Sequence, residues 1–360
     1  MFPELKVGLF RLRLVVRQTM VLPSYKGSVL RGGFGSAFRR TSCTQRTRDC
    51  GGCLLRSACA YAYIFETSPP AESEALRNLK DVPRPFVIEP PVDNKTSYEP
   101  GEDMEFGLVL VGRGVTYLPY FIVAFLDLGR AGIGPRRAGF ELTEVRQVGE
   151  WGWEMPRLTE CESGSVNGTG EILSKGRVPA GASHHGSEAT VFRSDGGRLE
   201  VLAERVIDRC LGKSAVAALA ERIPTDRVTV EFQTATRITS DGNVVAYPDF
   251  PRFVRALLRR QSALAYFHHG ASLRVDYRAV IEQAEGVKVE NANVSWVDWT
   301  RHSNRQRRSM NLGGLVGTVT YAGDLRPFRE FLALGQIVHV GKNTTFGLGK
   351  YRLLADDVTG

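Results

Sequence analysis

The sequence predicts an α+β protein built from two tandem ferredoxin-like (RRM-like) domains, with a cysteine-rich insertion in the first and a C-terminal glycine-rich loop in the second. Three observations carry this prediction. Stretches with the period-2 alternation of half-buried strands are separated by stretches with helical spacing. The order strand, helix, strands, helix, strand is found before residue 150 and begins afresh after residue 225. Each copy places a glycine-rich turn after its second helix, Gly129 to Gly134 in the first and Gly341 to Gly349 in the second. Internal duplication of one α+β module is the simplest account.

In the first copy, Lys6 to Gln18 alternates Val7, Leu9, Leu12, Leu14 and Val16 with arginines and reads as a strand. Pro23-Ser24 suits a helix entry, and Lys26 to Arg40 sets Val29, Leu30, Phe34 and Phe38 near helical spacing. Gly32, Gly33 and Gly35 each weaken that helix by roughly 1 kcal/mol relative to alanine, so they call for a reason such as close packing or a closely bound ligand. Glu105 to Val111 reads as a strand, Thr116 to Leu128 as a helix and Phe140 to Val148 as a strand. The prolines between Pro69 and Pro100 mark irregular chain within this domain. The boundaries expected are a first domain over 1–150 with its insertion over about 41–100, a linker or insertion over 151–225, and a second domain over 226–360. In that second domain Arg227 to Ile238 alternates as a strand. Pro251 to His268 is an amphipathic helix with Arg252, Arg255, Arg259 and Arg260 opposite its apolar side. Val287 to Trp296 and Met310 to Tyr321 are strand-like, and Leu325 to Ala333 is helical.

Cys43, Cys50, Cys53 and Cys59 fall within seventeen residues. Four thiols so close, with Gly51 and Gly52 allowing a sharp turn between two of them, suit tetrahedral ligation of a structural zinc; an iron–sulfur cluster or a metal-free loop are the alternatives. Four thiolates leave no open position for a catalytic water. His184-His185, beside glycine and serines, reads as an exposed loop.

The 360 residues carry a net charge of +8, unevenly spread. Residues 1–66 hold 11 Lys+Arg against 3 Asp+Glu, residues 67–250 hold 20 against 27, and residues 251–360 hold 16 against 9. Two basic ends flank an acidic middle, and a fold that joins the ends makes a surface for a polyanion. No apolar run approaches the ~18 residues of a membrane-spanning helix, and the first residues lack a signal-peptide pattern, so a cytoplasmic protein with no membrane partner is expected. The loop His339 to Tyr351 holds three glycines and two lysines. It can turn the chain or cradle a phosphate on backbone N–H groups, and it lacks the Gly-Lys-Ser/Thr close of a P-loop.

The tandem architecture, the run His339-Val340-Gly341-Lys342-Asn343-Thr344-Thr345-Phe346-Gly347-Leu348-Gly349-Lys350-Tyr351 and the upstream Trp299-Thr300-Arg301-His302-Ser303-Asn304-Arg305-Gln306 resemble the RAMP superfamily of CRISPR-associated proteins. More narrowly the chain resembles precursor-crRNA processing endoribonucleases with an N-terminal cysteine cluster. The resemblance implies cleavage of CRISPR repeat RNA without a catalytic metal. The nucleotide's own 2′-hydroxyl attacks the adjacent phosphate, leaving a cyclic phosphate and a 5′-hydroxyl, and the crRNA product is retained or passed to effector subunits. It also implies a general base, often a histidine near the first helix, where this chain has none before His184. The candidates for catalysis are Tyr25, Lys26 and His302, the last set among arginines that favour its neutral form. RNA contacts are expected from Arg31, Arg39, Arg301, Arg305, Arg307, Arg308, Lys342, Asn343 and Lys350. Gly341, Gly347 and Gly349 are expected to give close approach. A non-catalytic crRNA-binding subunit and a generic zinc-containing nucleic-acid-binding protein are the alternatives.

Overall fold

The computed structural model describes residues 5–45, 49–67, 82–148, 189–195, 198–201, 210–240, 242–245, 247–270, 272–273, 275–298, 300–303 and 308–354. In chain order the elements are β1 (Val7–Val16), β2 (Met20–Val21), α1 (Gly27–Ser42), α2 (Ala60–Phe65), β3 (Phe86–Glu89), β4 (Ser97–Tyr98), β5 (Asp103–Val111), α3 (Leu118–Ala131) and β6 (Phe140–Val148). There follow β7 (Ala189–Asp195), β8 (Arg198–Val201), α4 (Lys213–Glu221), β9 (Arg227–Thr236), β10 (Thr239–Ser240), β11 (Asn243–Val244), α5 (Phe250–His269) and α6 (Tyr277–Ala284). The chain closes with β12 (Lys288–Val297), β13 (Thr300–Ser303), β14 (Arg308–Asn311), β15 (Gly314–Ala322), α7 (Arg329–Val338) and β16 (Tyr351–Leu354).

Two antiparallel sheets share one plan. The first runs β3-β5-β1-β6-β7-β8 and the second β12-β15-β9-β16. In each, the module's first strand lies between its third and fourth, with the second outside the third, which is the ferredoxin-like order. The duplication read from the sequence is therefore present in the topology. Strand β3 supplies the member hidden in the proline-rich stretch: Phe86, Val87 and Ile88 are all fully buried, so no alternation marks it. Strands β7 and β8 extend the first sheet, and α4 packs on α7, so the stretch after residue 150 contributes to both halves.

Alternation along β1 sends Phe10, Leu12, Leu14 and Val16 into one core and Val7 and Leu9 into another. The first core is closed by α1 and α3, where Phe34 stacks on Phe121 and Phe125 at 4.6 and 5.1 Å. Two of the helix's costly glycines find their reason here. An added Cβ at Gly33 would come within 3.0 Å of Leu128, and one at Gly35 within 3.0 Å of Phe65. The second core joins Val7, Leu9, Val109 and Val111 to Leu219, Leu257, Leu264 and Leu334, so helices of the second module cover the other face of the first sheet. Helix α5 is set by local chemistry: the Asp249 side chain accepts from the Arg252 N–H, Pro251 sits in the first turn, and Gly270 ends the helix at φ 68°. No helix among the described residues is long and apolar enough to cross a membrane.

Candidate functional site

The start of α1 and the glycine-rich loop meet in the seam between the modules. The Tyr25 hydroxyl donates to the Phe346 carbonyl at 2.8 Å, and the Arg31 guanidinium lies 5.0 Å from the Phe346 ring centroid and 4.9 Å from that of Phe65. Burial, seconded by the charge of Glu89, pushes the Tyr25 phenol well above its ordinary value, so it stays protonated as a donor. Lys26 is fully buried, ion-paired with Asp93 and within 3.2 Å of the Ser24 carbonyl. It anchors the chain at the start of α1.

The loop's glycines admit this chain's own backbone. Gly341, Gly347 and Gly349 have φ of 81°, 82° and 74°, and an added Cβ would strike Arg237, Pro90 and Val340 respectively. The N–H groups of Val340, Lys342, Phe346, Gly347 and Gly349 donate to carbonyls, and that of Lys350 to the Thr234 hydroxyl. Those six donors are spent on holding the loop's shape. Asn343 takes φ 62° and Lys342 is exposed.

Beneath the loop His339 is fully buried with φ 64°. Its Nδ1 lies 3.0 Å from the Leu348 carbonyl and its Nε2 2.6 Å from Glu89 Oε1, while Lys350 Nζ lies 3.6 Å from Glu89 Oε2. Burial opposes the charge on Glu89, but Lys350 and the His339 bond outweigh it and hold the carboxyl below its ordinary range. Sequence reasoning missed Glu89. Its signal was a lone acidic residue closing the run Phe86-Val87-Ile88 between Pro85 and Pro90.

The basic stretch is an arm. Register runs from Lys288 opposite Ala322 to Val297 opposite Gly314, then continues from Thr300 opposite Asn311 to Ser303 opposite Arg308. The described residues of 288–322 thus pair as two successive antiparallel sections, β12 with β15 and β13 with β14. His302 pairs with Ser309 and Arg301 with Met310 in the second of these, and Arg305 and Arg307 fall outside the described residues. Where the outer section β13–β14 joins the sheet, Leu312 is fully buried in a small cluster with Phe346 and Leu348, against which Tyr25 and Ala235 pack. The arm, the loop and the start of α1 therefore share one apolar pivot. Arg39 lies further along α1, 5.2 Å from the Tyr61 ring centroid.

The four cysteines are free thiols, each partly exposed. Burial pushes the Cys50 thiol up despite the nearby Arg39, which works against thiolate formation. Among the described residues no group of three or more His, Cys, Asp or Glu is arranged to hold a metal ion. As placed, the thiols do not fit a metal site, and no chemistry is routed through one.

Comparison with known proteins adds lineage to this geometry. Residues 230–351 match the family model described as CRISPR-associated endoribonuclease Cas6, and residues 5–168 match a family model described as an N-terminal domain. A relative described as an uncharacterized protein of Archaeoglobus fulgidus is 28% identical over 112 residues, a stretch that is 31% of this chain and 37% of that one. Thermus thermophilus Cas6 superposes with a TM-score of 0.51 at 14% identity, covering 97% of this chain and 99% of that one. The product complex of the same Cas6 gives 0.54 at 15% identity, covering 97% and 100%. A chain of a partial Cas6-RT-Cas1–Cas2 complex gives 0.50 at 13% identity over 99% of this chain and 47% of that one. At these identities the superpositions speak for the fold, and the family match over 230–351 speaks for descent. Over residues 230–351 the second module thus matches the Cas6 endoribonuclease family, and the chain as a whole has the fold of the Cas6 structures.

Proposed function

We propose that the protein is a metal-independent endoribonuclease that cuts CRISPR precursor RNA within its repeats and keeps the crRNA product. The observation that carries this is the shared pivot: the arm bearing Arg301, His302 and Arg308 is rooted on the glycine-rich loop and the start of α1, inside the span matched to the endoribonuclease family. Cleavage by the RNA's own 2′-hydroxyl needs a base for that proton, an acid for the leaving 5′-oxygen and cations for the charged phosphorane. His302 is the proposed base, and Lys342 with the arm arginines the proposed cations. Tyr25 holds the seam and Lys26 the start of α1, since both of their polar ends are engaged within the protein. His302→Ala is expected to slow single-turnover cleavage of a matching repeat by about 10²–10⁴-fold with binding retained, and a wild-type rate would place the base elsewhere.

A second reading, a non-catalytic crRNA-binding subunit, is favoured by the engagement of Lys26 and the lack of any histidine before His184. Tight repeat binding without a cut would select it. Partnership with other CRISPR subunits is proposed on the same footing. Structural zinc on Cys43, Cys50, Cys53 and Cys59 is proposed from the donor set alone, against their described placement, and its binding would have to draw the four thiols together. Metal analysis of protein purified without added metal is expected to give close to one zinc per chain, and four freely titrating thiols without metal would refute it.

A further inference from the structure

Away from the pivot, three tyrosines form a ladder that the reading above does not use. Tyr63 of α2 stacks on Tyr117, which immediately precedes α3, with ring centroids 5.0 Å apart and planes at 25°. Tyr117 in turn meets Tyr120 at 5.8 Å and 44°. Tyr120 is 45% exposed and Val123, one turn on, 50%. Arg113 is exposed beside them: its guanidinium lies 4.8 Å from the Tyr63 centroid and 6.0 Å from that of Tyr117, and its Nη2 donates to the Tyr117 hydroxyl at 3.1 Å. Among the described residues Arg113 makes no ion pair with a carboxylate. An uncompensated guanidinium flanked by flat aromatic faces suits an anionic, aromatic ligand.

The ladder is held rigid from behind by the second module. His268 of α5 is buried, and its Nε2 lies 2.7 Å from the Pro83 carbonyl, so that nitrogen donates. Burial pushes this imidazole down to about 4, so near neutral pH it is uncharged and Nδ1 has no proton. Nδ1 therefore accepts from the Tyr63 hydroxyl at 3.0 Å. With Tyr63 fixed, Tyr117 is held behind the 45% exposed ring of Tyr120, which leaves little to order on binding, the condition under which stacking yields affinity.

We propose that Arg113, Tyr117 and Tyr120 form a stacking platform for unpaired bases of the RNA, on the flank of the first module. The Tyr120 ring meets Phe38 at 6.2 Å, and Phe38 lies eleven residues along α1 from Gly27. At 1.5 Å per residue the platform is about 16 Å along that helix from the loop, so it takes nucleotides other than those at the pivot. Stacking on every base type makes it tolerant of sequence, as single-stranded RNA outside a fixed repeat requires. The inference rests on the reading of this protein as RNA-binding.

Two measurements test it on the full chain. Unstructured RNA carrying 4-thiouridine, irradiated with the protein, is expected to cross-link to the peptide holding Tyr117 and Tyr120. In binding assays, a repeat with an unpaired extension is expected to bind about ten-fold tighter than the bare repeat. Tyr120→Ala and Arg113→Gln are expected to remove that gain while the bare repeat is bound and cut as by wild type. Cross-links at the ladder in a protein that neither binds nor cuts the repeat would leave the platform standing and remove the processing activity. A protein that binds the repeat but cross-links only elsewhere, with Tyr120→Ala keeping the gain, overturns the platform and assigns the patch to a protein partner.

Discussion

His268 and Glu89 are single residues on which two parts of the seam turn. His268 ties Tyr63 to the Pro83 carbonyl and stays neutral because it is buried. Its value falls from the ordinary 6.5 to about 4 on folding, so between those pH values the unfolded chain binds a proton that the folded one refuses. Stability is then fully present above pH 6.5 and declines on acidification toward pH 4, by roughly 3 kcal/mol at most. Urea unfolding across that range is expected to show the decline in wild type and a flatter profile in His268→Gln; parallel profiles would refute the assignment. Neither role was legible in the sequence. A histidine at a helix end and a lone glutamate after three apolar residues look ordinary until distant parts of the chain meet: 205 residues separate Tyr63 from His268, and 250 separate Glu89 from His339.

At the scale of elements, the strands that alternate were the ones the sequence revealed: β1, β5, β6, β9 and β12 lie within a few residues of where periodicity placed them. Those buried on every side chain, such as β3, or shorter than a period can resolve, such as α2 and β13, were not. The glycine-rich loop was legible as a place of close approach, but not as to what approaches, because positive φ and a missing Cβ serve a protein backbone as well as a phosphate. The arm shows the same limit: its arginines were read as a cluster, and only the pairing of 300–303 with 308–311 places Arg301 and Arg308 on a two-stranded hairpin beyond the sheet. If the arm grips the RNA backbone, Arg301→Ala with Arg308→Ala is expected to lower the salt slope of repeat binding by about 0.7–0.9 for each phosphate that is no longer neutralised. An unchanged slope would mean that the arm does not touch phosphate.

For the whole molecule, duplication sets the frame and asymmetry between the copies sets the site. Both modules keep the same strand order, but among the described residues the paired sections β12–β15 and β13–β14 belong to the second, and its helices cover one face of the first sheet. The basic N-terminal end and the basic C-terminal end meet where Arg31 lies on Phe346 and Tyr25 bonds its carbonyl. That junction brings the two basic ends of the chain together, the condition under which they would make one surface for a polyanion. The most direct test is incubation of the protein with repeat RNA from its own locus in EDTA, followed by analysis of the RNA ends. The account predicts a single cut leaving a 2′,3′-cyclic phosphate and a 5′-hydroxyl; a repeat that is bound but left whole, or cut only when metal is restored, would contradict it.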